Sequence, residues 1–124
     1  MKKILIVDDE PHIALVLKQF LERAGLEILT TLNGKLAIDI IKKEHPTVII
    51  TDVQMPIMGG IELCETLQRI MPDYQPLIIL MTSRLDRDIR NWVKQHMSVN
   101  MMEKPLSMRR LLAKINNHLA NFKA

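Results

Sequence analysis

A run of mostly β-branched residues, Val48-Ile49-Ile50-Thr51, ends at the carboxylate of Asp52, and Pro56 stops the segment soon after. Such a run reads as a buried strand that carries Asp52 at its carboxyl end. Two further segments have the same form: Ile4–Val7 runs into Asp8-Asp9-Glu10, and Leu77–Met81 runs into Thr82-Ser83. A shorter apolar piece ends at Lys104-Pro105. In an open parallel sheet, residues just past the carboxyl ends of neighbouring strands meet in one crevice, where such folds bind ligands. The pattern therefore predicts that acids, a hydroxyl and an ammonium converge there.

The intervening segments have helical spacing. Pro11 opens one with Ile13, Val16, Leu17, Phe20, Leu21 and Ala24 along it, stopped by Gly25. Asn33 offers an N-cap to a second that is expected to bury Leu36, Ala37, Ile40 and Ile41, closed by Pro46. Gly59-Gly60 reads as a flexible turn before a third helix with Ile61, Cys64, Leu67 and Met71 on one side. A fourth, more exposed helix runs from Asp86 to about His96, with Leu85, Ile89, Trp92 and Val93 at helical intervals. The last starts near Ser107 and carries Met108, Leu111, Leu112, Ile115, Leu119 and Phe122 as its core stripe. With Leu26–Thr31 as a weaker second strand, strand and helix alternate throughout. That pattern predicts an α/β fold: a doubly wound, five-stranded parallel sheet with helices on both faces.

The length suits one domain spanning 1–124. Hydrophobic residues at 48% and charged ones at 25% have the balance of a soluble globular protein, and no apolar run approaches a bilayer's thickness. Met1-Lys2-Lys3 leads into too short an apolar run for a signal peptide, and the single cysteine excludes an internal disulfide, so a cytoplasmic location is expected. The formal charge of +3 conceals an acidic stretch through residue 83 and a basic one from 84 onward.

Asp8, Asp9 and Asp52 in one crevice would repel one another unless a cation neutralised them. Hard oxygen donors favour Mg²⁺, whereas the scattered histidines and Cys64 have no zinc-ligand spacing. With a metal and the Lys104 ammonium beside it, the Asp52 carboxylate could attack phosphorus to form an acyl phosphate. Metal and lysine would offset charge on the transferring group, and Thr82 could hydrogen-bond one of its oxygens.

Asp8-Asp9, the segment Asp52-Val53-Gln54-Met55-Pro56-Ile57-Met58-Gly59-Gly60, Thr82-Ser83 and Lys104-Pro105 together resemble, in order and spacing, the motifs of a response-regulator receiver domain of two-component signalling. The resemblance covers essentially the full length. It implies a flavodoxin-like sheet of order 2-1-3-4-5 and a phosphoryl group taken by Asp52 from a sensor histidine kinase or phosphotransfer protein. It also implies Mg²⁺ held by Asp9, Asp52 and the backbone carbonyl of Gln54, with Asp8 assisting through water. Catalysis would be confined to the domain's own phosphorylation and dephosphorylation, so it is not expected to be an enzyme acting on other substrates. Output would pass through residues 85–122 to a protein partner or a second receiver, without direct DNA or membrane binding.

Two features depart from the family's pattern. Met101 replaces the usual aromatic three residues before Lys104, and Met97-Ser98 replace the usual Gly-Ala. A flexible methionine lacks the two-position rotation of a ring, so a switch through Thr82 and Met101 should be less sharply two-state. A flavin-binding fold would need a phosphate loop where Asp8-Asp9-Glu10 stand, and an aspartyl-nucleophile hydrolase would need a cap domain for which the chain has no room. A receiver-like interaction module that works without phosphorylation is the remaining alternative.

Overall fold

Alternating strands and helices wind into one sheet in the computed structural model, which describes residues 2–84, 86–96 and 98–121. The elements are β1 (Lys3–Val7), α1 (Pro11–Arg23), β2 (Glu27–Thr31), α2 (Gly34–Glu44), β3 (Val48–Asp52), α3 (Gly60–Ile70), β4 (Leu77–Thr82), α4 (Arg87–Lys94), β5 (Val99–Glu103) and α5 (Met108–Asn121). All four strand pairings are parallel and the order is β2-β1-β3-β4-β5, as expected. No helix among the described residues is long and apolar enough to cross a membrane.

Because successive side chains of a strand point to opposite faces, the sheet divides the core in two. Ile4, Ile6, Ile50, Ile79 and Met81 pack with Ala14, Leu17 and Leu21 of α1 and with Leu111 and Ile115 of α5. Leu5, Val7, Ile49 and Leu80 pack on the other side with Ala37 and Ile41 of α2 and with Leu63, Cys64 and Leu67 of α3. Trp92 and Val93 bring α4 partly against this second cluster. Strands buried on both faces explain why β1, β3 and β4 read as nearly continuous apolar runs.

Some local expectations are corrected. Leu36 is 48% exposed and Val16 52% exposed, because each helix buries a narrower stripe: Gly34, Ala37 and Ile41 in α2, and Ala14, Leu17 and Leu21 in α1. Ala24 lies past the end of α1 and is exposed. The segment Gly59-Gly60 is required for space. An added Cβ would come within 2.5 Å of the Val53 carbonyl oxygen at Gly59 and within 2.5 Å of the Asp52 carbonyl oxygen at Gly60. Leu85, Met97 and Phe122 lie outside the described residues.

Candidate functional site

β3 delivers Asp52 to the carboxyl edge of the sheet, 6% exposed, where Val53 N–H continues the ladder by donating to the Met81 carbonyl at 2.9 Å. The ammonium of Lys104 lies 2.6 Å from Oδ2 of Asp52. Its position follows from the backbone: Lys104 N–H donates to the Thr82 carbonyl at 2.8 Å, extending the β4–β5 pairing by one step and aiming the side chain back across the sheet edge. The other Asp52 oxygen, Oδ1, accepts from the Gln54 N–H at 3.3 Å. The loop beyond is drawn down by Gly60 N–H donating to the Val53 carbonyl at 3.0 Å, and it is joined to the start of α2 by Gly34 N–H donating to the Met58 carbonyl at 3.1 Å.

β1 delivers the acids. Asp8 is 1% exposed; its Oδ1 accepts from the Glu10 N–H at 2.9 Å, and its Oδ2 is buried with no hydrogen-bond partner. Burial pushes the Asp8 carboxyl above its ordinary value; the Glu10 N–H and the Lys104 charge act in the opposite direction. One oxygen from each of Asp8, Asp9, Glu10 and Asp52 lies within 4.8 Å of the others. Burial alone would lower the Lys104 value, but the hydrogen bond to Asp52 and the charges of Asp52, Asp8 and Glu10 outweigh it and raise it. The ammonium is therefore held charged among carboxylates.

The expected constellation of Asp8, Asp9, Asp52 and Lys104 is thus brought together. Thr82 reaches the same edge, 2% exposed, but its hydroxyl is engaged with the Arg84 backbone. Met101 lies half-buried in β5, paired in register with Leu80. Sequence reasoning left out Glu10, whose Oε1 stands 3.8 Å from the Lys104 ammonium. The available signal was its position between the acidic pair and Pro11, which fixes it at the entrance to α1.

An all-oxygen donor set with a buried, unpartnered carboxylate oxygen suits a hard divalent cation. With such a cation bound, a carboxylate paired with an ammonium could attack a phosphorus bearing anionic oxygens.

Comparison with known proteins gives a consistent picture. The family described as response regulator receiver domain matches residues 4–116. The alkaline phosphatase synthesis transcriptional regulatory protein PhoP of Bacillus subtilis (strain 168) is 34% identical over 117 residues, covering 92% of this chain and 47% of that protein. The chain thus spans about half the length of this curated relative. Among solved structures, a CheY-like response regulator receiver domain protein from Methanospirillum hungatei JF-1 superposes with a TM-score of 0.88 at 28% identity, covering 98% of this chain and 95% of that one. The response regulator TrrA from Thermotoga maritima, in complex with Mg²⁺–BeF, has a TM-score of 0.80 at 28% identity, covering 95% and 99%.

Proposed function

The chain belongs to the response regulator receiver domain family of two-component signalling, and from that premise we propose that Asp52 is its phosphoacceptor, supplied by a sensor histidine kinase or phosphotransfer protein. The single observation carrying this reading is the Lys104–Asp52 contact of 2.6 Å beside the carboxylate cluster. Asp52 is nearly buried, its backbone is fixed by the ladder, and its Oδ2 faces the Lys104 ammonium, which can offset incoming anionic charge.

In the transfer, an Asp52 oxygen forms the new O–P bond while the bond from phosphorus to the donor's histidine nitrogen breaks. The electron pair leaves with that nitrogen, which then takes up a proton. Lys104 moves from sharing charge with the carboxylate to sharing it with a phosphoryl oxygen. Mg²⁺, when bound, supplies further neutralisation of the transferring group. Asp9, Asp52 and the Gln54 carbonyl would hold it, with Asp8 reaching it through water. The Thermotoga maritima protein carries Mg²⁺–BeF, and the donor set here suits the same ion. Thr82 joins once its hydroxyl leaves Arg84.

The chain acts as a single receiver over 1–124, in the cytoplasm, and its chemistry is limited to its own phosphorylation and dephosphorylation. Output passes through the surface of α4, β5 and α5. There Arg87, Arg90, Lys94, Arg109 and Arg110 are exposed, favouring an acidic protein partner or a second receiver over DNA. Phosphorylation would shift that affinity by about 1–3 kcal/mol, as is typical of coupled sites.

Intact-mass measurement with Mg²⁺ and acetyl phosphate tests the assignment. One phosphate should be added to the wild type and none to Asp52→Asn; equal labelling of the variant would overturn it.

A further inference from the structure

Glu10 is the N-terminal boundary residue of α1, a place where a side chain commonly accepts from the helix's own free N–H groups, yet it makes no such capping bond. Its main chain is fixed by the N–H bond to Asp8 Oδ1 at 2.9 Å and by its carbonyl, which accepts from Ile13 and Ala14 N–H at 3.1 and 3.2 Å. From that anchored position its carboxylate reaches back over the site, 3.8 Å from the Lys104 ammonium and within 4.8 Å of oxygens of Asp8, Asp9 and Asp52. Half-exposed, its pairing with Lys104 alone would contribute little to folding.

The dimensions indicate what the carboxylate can do. Ligands at about 2.1 Å from Mg²⁺ in an octahedron lie roughly 3 Å apart when adjacent and about 4.2 Å apart when opposite. Four carboxylate oxygens within 4.8 Å of one another lie close enough together to share the surroundings of one ion. Mg²⁺ also takes only one or two protein carboxylates and retains water in its other positions. A water held by the ion presents its hydrogens outward, and the half-exposed Glu10 carboxylate, on a longer and more flexible stem than the aspartates, is suited to accept them.

We propose that Glu10 is a positioning residue of the cation site, its carboxylate accepting hydrogen bonds from Mg²⁺-bound water while it steadies the Lys104 ammonium. This deepens the phosphoacceptor reading and rests on it. Asp8 belongs to the same cluster, and its Oδ2, buried without a hydrogen-bond partner among the described residues, is an independent sign that the cluster suits a cation. Glu10 then biases the order of events: it draws the ion and its water shell in, and it repels an anionic phosphodonor until the ion is present.

The test is titration of Glu10→Gln with Mg²⁺ alone, by calorimetry, without phosphodonor. Removing one screened charge near the ion should weaken Mg²⁺ binding about three- to tenfold. The Mg²⁺ concentration giving half-maximal labelling by acetyl phosphate should rise by the same factor. Glu22→Gln, on the exposed surface of α1, should leave Mg²⁺ affinity as in the wild type. Unchanged affinity in Glu10→Gln overturns the proposal, as does an equal loss in Glu22→Gln, which would assign the effect to overall charge. A loss beyond about a hundredfold would also overturn it, making Glu10 a direct ligand. Failure of the phosphoacceptor reading appears separately, as wild-type protein that takes no phosphate or Asp52→Asn that does.

Discussion

The hydroxyl of Thr82 is engaged in both directions by Arg84: it donates to the Arg84 carbonyl at 2.8 Å and accepts from the Arg84 N–H at 3.0 Å. A hydroxyl so committed cannot also serve a phosphoryl oxygen, so recruitment of Thr82 must open this small turn. Thr82→Val keeps the side chain's shape and removes both bonds. It should destabilise the metal-free protein by about 1–2 kcal/mol in urea unfolding, while Thr82→Ser stays near wild type. Equal stability of all three would mean that the turn contributes nothing.

The buried Asp8 carboxyl, raised above its ordinary value chiefly by burial, destabilises the metal-free fold once it ionises. Its favourable contribution is present below the ordinary value of 3.8 and is lost as pH rises through the raised one. Asp8→Asn should therefore raise the melting temperature at pH 7 in a chelator and shrink the increase that Mg²⁺ produces. A lower melting temperature in the chelator would contradict this account.

Gly60→Ala should disturb the site from beneath. Its Cβ would stand 2.5 Å from the Asp52 carbonyl oxygen and 3.0 Å from Leu80 Cδ2, so strand end or helix must shift. A loss of about 1–3 kcal/mol is expected, with slower labelling by acetyl phosphate. Gly25→Ala separates crowding from backbone strain. Position 25 has φ +88° but open space around it, so the substitution should cost about 1 kcal/mol and leave labelling unchanged.

Cys64 is buried in the α2–α3 side of the core, and burial pushes its thiol up to about 12. Native protein at pH 8 should resist iodoacetamide, with modification only at the rate of unfolding. Rapid stoichiometric alkylation of folded protein would place the thiol elsewhere.

Asp52, Asp8, Asp9 and Lys104 were legible because each follows an apolar run, and parallel strands place such positions at one edge. The sheet order came from the family likeness, since alternation alone does not say which strands are neighbours. The direction of Thr82 was not legible: a threonine hydroxyl chooses between site and local backbone by geometry that spacing does not encode. Glu10 was masked by its adjacency to the acidic pair, where alternation would have sent its side chain away; the turn into Pro11 brings it back. Leu36 and Val16 were assigned to buried stripes because hydrophobicity was followed more broadly than a helix's contact width allows.

The outermost strands of the sheet, β2 and β5, have only five residues each, and each carries a glutamate at one end. Short, charge-tipped edges are poor templates for adding another chain's backbone, so the fold resists continued stacking into fibrils.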